Sequence, residues 1–469
     1  MSEEVKLELR DYQKKAVQFL LRRRRAVLGS SPRTGKTPVL IRAADQIFAN
    51  ATIDAGCRHQ IWAIVPSSIK LTFTKQIEDW SSYGFSVQVV KKLKEEIDPT
   101  VVWVVMSYEV ARYKLPRLAE TGDARPPLVA MLDEAHRVKS LDAKITVAAI
   151  GRDSVLKKTR ATWLATGTPF PNKLIDCYSL FNFCLYGKLG RFWDFAARHC
   201  FIREGHWGRK VVGCNKHTLP ELTEKVKTVL HRDTLEEVWK EMPPVMEDII
   251  LLEHTEKSEQ LCEKLEDQRE AVREAIEAEQ SYNPPEIMSL RAELALEKII
   301  PASDFVLERL ADEEPLVVVG RHLALIEGMK ARLQSHCRLA TITGSTPTAR
   351  RDEIRHHFQS GNLDCVLMTI QAGGEGVDMS RSSTMIIVEE EWTPKDMEQV
   401  RARIVAIGKR IPLRYFYLMF PNSLDQDVHK SIKSKTRDIK NFWNVLEDRA
   451  DDTEFSELQE AEEHINWEY

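Results

Sequence analysis

Two short runs in this sequence carry residues suited to phosphate chemistry. Ser30-Ser31-Pro32-Arg33-Thr34-Gly35-Lys36-Thr37 follows an apolar, strand-like run at Ala26–Leu28 and leads into a helical pattern. Backbone N–H groups of such a loop, with those of the first helical turn, can cradle phosphate oxygens. Lys36 then reaches the β and γ phosphates of a nucleotide, and the Thr37 hydroxyl meets Mg²⁺. Arg33, Thr34 and Gly35 complete the loop. Ser30 stands where the first glycine of GxxxxGKS/T is usual, and Gly29 sits one place early. Further on, Leu128-Val129-Ala130-Met131-Leu132 runs directly into Asp133-Glu134-Ala135-His136. A buried strand ending in paired carboxylates supplies what ATP hydrolysis requires. Asp133 holds the Mg²⁺, and Glu134 polarises the attacking water as general base. Ahead of the loop, Gln13 in Leu9-Arg10-Asp11-Tyr12-Gln13 offers both a donor and an acceptor to an adenine edge.

These residues need a scaffold that places strand ends side by side. Short β-rich apolar runs alternate with helical patterns, which is the signature of parallel α/β architecture. One series of strands is expected at Ala26–Leu28, Ile61–Val65, Val101–Met106, Leu128–Leu132 and Thr162–Ala165. A second is expected at Leu316–Val319, Leu339–Ile342, Cys365–Thr369, Thr384–Val388 and Arg414–Met419. Between them, Thr255 to Gln280 is charged, lacks Gly and Pro, and reads as helix until Tyr282-Asn283-Pro284-Pro285. The expected division is a first lobe at 1–185, a mainly helical insertion at 186–300, a second lobe at 301–445 and an acidic tail at 446–469.

Composition narrows the function classes. The chain has 469 residues, 43% hydrophobic and 29% charged, as expected of globular domains with sizeable cores. No apolar run of about 18 residues exists to span a membrane, and the N-terminus lacks the profile of a secretory signal, so a cytoplasmic location is expected. Eight scattered cysteines form no CxxC pair and read as reduced thiols. The net charge of −4 conceals an asymmetry, because the segment Glu447–Tyr469 alone contributes −9. The remaining body is mildly basic, which permits nucleic-acid binding.

Further motifs carry a resemblance. Leu164-Ala165-Thr166-Gly167-Thr168-Pro169, followed by Asn172, Leu174 and Leu180-Phe181-Asn182-Phe183, is similar to the "TGTP…N…L…LLNFL" pattern of SNF2 proteins. Val65-Pro66-Ser67-Ser68 with Trp80, and Met106-Ser107-Tyr108-Glu109, resemble nucleic-acid elements of that family's first lobe. Gly344-Ser345-Thr346 with Arg351, Ile354 and Phe358 resembles "GSTSxxxRxxxIxxF". Thr369 with Ala372-Gly373-Gly374-Glu375-Gly376-Val377-Asp378 resembles "STxAGGxGINL". Trp392-Thr393-Pro394, Gln399, Arg403 and Gly408 keep the spacing of "WNPxxDxQAxxRxxRxGQ".

The chain therefore resembles the SNF2 branch of the helicase superfamily, in its compact phage or bacterial form, over residues 7–430. The resemblance implies two RecA-like lobes, with ATP and Mg²⁺ between them and DNA, duplex or branched, across their shared face. It implies that Gly376 and Asp378 touch nucleotide, that Arg403 acts in catalysis, and that Pro66, Ser67, Ser107, Tyr108, Gly344, Thr369, Gly373 and Gly374 meet nucleic acid. His136, Thr166, Thr168 and Gln399 would couple phosphate state to lobe closure. The expected motor unit is a monomer, and strand separation on DNA or RNA is a sister reading.

The chain departs from the family at Ala406, where a second arginine is usual. Three readings stay open here. Arg403, or else Arg401 or Arg410, serves as the arginine finger; hydrolysis is slow; or ATP clamps the lobes with little turnover. Asp378 replaces an asparagine and could accept from ribose hydroxyls, and Met397 replaces an aspartate. Arg22-Arg23-Arg24-Arg25 reads as a solvated helix end, with a DNA patch as the rival. His199-Cys200…Cys214…His217 reads as core packing rather than a zinc site, because its spacing fits no standard module. Arg232 is expected to organise the lobes.

Overall fold

A computed structural model describes residues 7–51, 59–120, 126–205, 208–266, 285–312, 314–373 and 377–446. Strands β1 (Arg25–Leu28), β2 (Ile61–Val65), β3 (Val87–Val90), β4 (Trp103–Ser107), β5 (Val129–Asp133) and β6 (Ala161–Ala165) form one sheet with the short β9 (Leu230–His231). A hairpin, β7 (Cys200–Gly205) and β8 (Gly208–Cys214), precedes β9. The second sheet holds β10 (Val245–Leu251), β11 (Leu316–Gly320), β12 (Leu339–Ile342), β13 (Cys365–Thr369), β14 (Thr384–Ile387) and β15 (Leu413–Met419). Both sheets are parallel throughout. The expected α/β fold with two RecA-like lobes is borne out.

Each of the ten expected strands is present because helices cover both faces of the sheets, so the strands read as continuous apolar runs. In β2, β4, β5, β6, β11 and β13 every residue is buried. Alternate side chains divide between two cores in the first lobe. Trp62, Val104 and Leu132 enter one, and Ala63, Trp103 and Met131 the other. β10 lies inside the stretch read as a mainly helical insertion, yet it pairs with β15 along seven residues and completes the second sheet. Its sequence, Val-Met-Glu-Asp-Ile-Ile-Leu, is largely exposed at a sheet edge, so no apolar period marks it. β9 likewise joins the first sheet beside β1.

Parallel strands send their C-terminal loops to one edge, where function collects. The first sheet runs β3-β4-β2-β5-β6-β1-β9. Its middle strands β5, β6 and β1 deliver Asp133, Thr166 and the phosphate loop together. Pro66 and Ser107 fall on the neighbouring strands β2 and β4. In the second sheet β13 and β12 are neighbours, which brings Thr369 near the turn at Gly344.

A long helix, Leu424–Leu446, ties the lobes together. Its Leu424, Val428 and Ile432 pack into the second lobe's core, whereas Phe442 and Trp443 enter the first lobe's core. Phe170 meets both rings, at centroid separations of 4.5 and 5.2 Å. Among the described residues no helix is long and apolar enough to cross a membrane. The acidic tail and most of Thr255–Gln280 lie outside the described residues.

Candidate nucleotide site between the lobes

The phosphate loop leaves β1 and enters the helix Lys36–Ala49 through two left-handed residues, Arg33 (φ 70°) and Gly35 (φ 79°). Glycine suits position 35 because φ +79° is a backbone conformation that residues with a side chain adopt only under strain. Lys36 Nζ donates to the carbonyls of Ser30 (2.9 Å) and Ser31 (3.1 Å), acceptors that an entering phosphate can replace. Thr37 opens the helix, half-buried, at the positive end of the helix dipole. Ser30 is fixed from the side by Asp233. Its hydroxyl donates to Asp233 Oδ2 at 3.1 Å and receives the Asp233 N–H at 3.0 Å. Sequence reading missed Asp233, for which the only signal is its place just after the edge strand β9.

Gln13 lies against the loop. Its Nε2 donates to Thr34 O at 3.2 Å, and its Oε1 accepts the Arg10 N–H at 2.9 Å. Tyr12 also donates to Thr34 O, at 2.9 Å. An adenine edge would have to exchange for these bonds, so Gln13 supports the loop here.

Asp133 ends β5, and Glu134 follows in a left-handed conformation (φ 52°) that a glutamate rarely adopts. This turn separates the two carboxylates. Burial first, then the charge of Glu134, pushes the Asp133 carboxyl up to about 7, against Lys36 and the Glu134 N–H. Glu134 moves the other way. Burial disfavours its charge, but His136 and Lys36 outweigh that and hold it well below the usual range. Asp133 is thus poised for a cation, and Glu134 is an ionised base. Among the described residues no cluster of three or more His, Cys, Asp or Glu could hold a metal. The donor set, one buried carboxylate and one hydroxyl, fits Mg²⁺, which keeps waters and phosphate oxygens as its other ligands.

The four coupling candidates assemble. His136 Nδ1 lies 3.2 Å from Glu134 Oε2 and 3.2 Å from Thr166 Oγ1. Thr166 Oγ1 accepts the Thr168 N–H at 3.1 Å, and Gln399 Nε2 donates to Glu134 Oε2 at 3.4 Å. The Thr168 hydroxyl is buried with no partner among the described residues. Beside Thr168 opens a cavity of about 1160 Å³, lined from the first lobe by Ser31, Thr168 and Arg232 and from the second by Lys395, Glu398 and Ala402.

Arg33 and Asp378, both assigned to nucleotide, meet each other at 3.0 Å across the lobes. Arg33 also donates to the carbonyls of Ala402 (3.2 Å) and Arg403 (3.3 Å). Arg403 is half-buried, just past the helix Pro394–Arg401. Arg401 is committed elsewhere, paired with Glu247 and stacked 4.4 Å from the Tyr415 ring. Arg232 lies over Trp443 at 4.0 Å and lines the cavity.

Of the nucleic-acid candidates, Ser67 and Gly344 are exposed at loop tips, whereas Pro66, Ser107, Thr369 and Gly373 are buried. Tyr108 is a correction. It is 4% exposed and donates its hydroxyl to Asp133 O at 2.6 Å, so it braces the carboxylate strand from inside the core. Gly374 and Gly376 lie outside the described residues.

Three of the run's four arginines make structural contacts, and Arg22 is exposed. Arg23, Arg24 and Arg25 donate to the carbonyls of Thr228, Thr159 and Phe183. Cys200 and Cys214 are buried opposite each other in the hairpin, and His199 Nδ1 pairs with Thr218 Oγ1 at 3.0 Å, as core packing requires.

The SNF2-related domain matches residues 12–301, and the helicase conserved C-terminal domain matches residues 301–408. Bovine (Bos taurus) "DNA annealing helicase and endonuclease ZRANB3" is 22% identical, over 91% of this chain and 40% of that protein. Human chromodomain-helicase-DNA-binding protein 1 is 24% identical, over 92% of this chain and 26% of that protein. The chain thus spans well under half the length of these relatives. The Sulfolobus solfataricus SWI2/SNF2 ATPase core in complex with dsDNA aligns with a TM-score of 0.43 and 15% identity, covering 94% of this chain and 95% of that one. The chain belongs to the SNF2-related family.

Proposed function

We propose that the protein is a DNA-dependent ATPase that uses ATP to move on, or remodel, duplex or branched DNA. The observation that carries this is the polar chain from Glu134 to Gln399. It links the group that would activate water in the first lobe to a helix of the second. A hydrolase with no mechanical output has no need for such a link, whereas a motor must convert phosphate state into lobe position.

ATP binds with its phosphates on the loop Ser30–Thr37. Lys36 leaves the Ser30 and Ser31 carbonyls for the phosphate oxygens. Mg²⁺, held by Thr37 and Asp133, supplies charge neutralisation on those oxygens when bound. Glu134, kept ionised by His136 and Lys36, accepts the proton of the attacking water. Loss of the γ-phosphate changes what Glu134 and His136 face, and Thr166 and Gln399 pass that change to the lobes.

In this reading Ser67 and Gly344, exposed at the C-terminal edges of the two sheets, meet backbone phosphates, which makes binding sequence-tolerant and salt-sensitive. Assembly as a monomeric motor unit in the cytoplasm is part of this reading. A second reading, a nucleotide-gated DNA clamp with weak turnover, is favoured by Ala406 alone.

Steady-state ATPase rates with no polynucleotide, duplex DNA, single strands and RNA separate the readings. Duplex DNA is expected to stimulate turnover most. Stimulation by no polynucleotide would exclude the motor.

A further inference from the structure

The loop that holds the phosphates contains two cations, and only Lys36 has a role so far. Arg33 occupies a left-handed backbone position (φ 70°) that residues with side chains seldom adopt. Such conformations persist where function holds them in place. The turn aims the Arg33 side chain out of the loop and across the lobe boundary. There it meets Asp378 Oδ1 at 3.0 Å, Ala402 O at 3.2 Å and Arg403 O at 3.3 Å. Its guanidinium therefore lies at the seam where phosphates on the loop face the segment 402–406 of the second lobe.

That segment holds one cation of its own, the half-buried Arg403. Ala406 carries no charge, Arg401 is committed to Glu247 and Tyr415, and Arg410 is exposed. Phosphoryl transfer gathers negative charge on the γ-phosphoryl oxygens and the β–γ bridging oxygen, and enzymes neutralise it with a cation delivered from either side. A planar guanidinium with several donors suits this task, because it can exchange carbonyl and carboxylate acceptors for phosphoryl oxygens.

We propose that Arg33 is the arginine that stabilises the transferring phosphoryl group, supplied by the phosphate loop instead of by position 406. The proposal rests on the ATPase reading above. Arg33 is held on the second lobe, as Lys36 is held on Ser30 and Ser31. With ATP bound, the water oxygen bonds to the γ phosphorus while the bridging P–O bond breaks, its electron pair leaving on the β-phosphate of ADP. The proton of the water goes to Glu134. Arg33 neutralises the charge on the departing and equatorial oxygens. Its release from Asp378 also frees a contact between the lobes, so one side chain would report phosphate state and stabilise its change.

The test compares the wild type, Arg33→Gly and Arg33→Gly/Ala406→Arg, by steady-state ATP hydrolysis at saturating duplex DNA. Glycine tolerates φ 70°, so Arg33→Gly should fold with an unchanged or higher melting temperature. Its kcat is expected to fall about 10³-fold, with KM within about threefold of wild type. Adding Ala406→Arg should recover at least about tenfold of that loss. A kcat for Arg33→Gly within about threefold of wild type, or a defect confined to KM, overturns the proposal. So does a double variant that recovers nothing. A wild-type chain without turnover under any condition refutes instead the ATPase reading on which the proposal stands.

Discussion

Gln399, in the helix Pro394–Arg401 of the second lobe, donates to the Oε2 of Glu134 in the first lobe at 3.4 Å. The same oxygen lies 3.2 Å from His136 Nδ1, so the carboxylate is held from both lobes at once. Gln399→Ala should leave ATP affinity within about threefold of wild type, because it removes no group from the phosphate loop. DNA-stimulated kcat should fall about tenfold, the equivalent of one hydrogen bond of about 1.4 kcal/mol. An ATPase titration at fixed duplex concentration checks both values, and unchanged stimulation would show that the contact does not couple the lobes.

The paired carboxylates set a pH dependence. Asp133 is raised to about 7 by burial and by Glu134, so below neutrality it keeps a proton that a cation must displace. Mg²⁺–ATP affinity should therefore strengthen as pH rises from about 6 to 8, with proton release on binding. Glu134→Gln removes the neighbouring charge, which should move this limb to lower pH. Calorimetric titration in buffers of different ionisation enthalpy measures the protons released. An affinity flat across this range would rule out the elevated Asp133.

Trp443 and Phe442 anchor the long helix in the first lobe against Phe170. Trp443→Ala removes a nearly buried ring and the surface on which Arg232 lies, at an expected cost of about 3–5 kcal/mol. Because the helix starts in the other lobe, the loss should uncouple the two. Thermal unfolding is expected to split into two transitions, and small-angle scattering to show a larger radius of gyration. A single transition at the wild-type radius would mean the helix does not brace the lobes.

The placement of the candidate site residues was legible from local sequence. Lys36 and Thr37 open a helix just after a strand, Asp133 ends a strand and Glu134 follows it, so short-range order set where they lie. The central strands were legible because burial on two faces leaves unbroken apolar runs. Three of the four edge strands, β3, β9 and β10, were not; β10 alternates nothing and only its pairing with β15 makes it a strand. Tyr108 shows how burial reverses an assignment. A tyrosine beside a strand end suggests a nucleic-acid contact, but the fold turns it inward onto Asp133. Glu389-Glu390-Glu391 resembles a solvated acidic run, yet all three are buried. Glu389 accepts from His322 at 2.7 Å, and His429 holds Glu390 at 2.7 Å, partners 67 and 39 residues away. The anchoring of Phe442 and Trp443 was equally hidden, because one helix face serves two cores in succession.

The central claim is that hydrolysis at Glu134 drives movement on duplex DNA, and triplex displacement tests it most directly. A third strand annealed to a duplex should be released by the wild-type protein with ATP and Mg²⁺, and should remain bound with Glu134→Gln or with a non-hydrolysable ATP analogue. Release that proceeds equally with Glu134→Gln, or no release despite duplex-stimulated ATP turnover, would contradict the account.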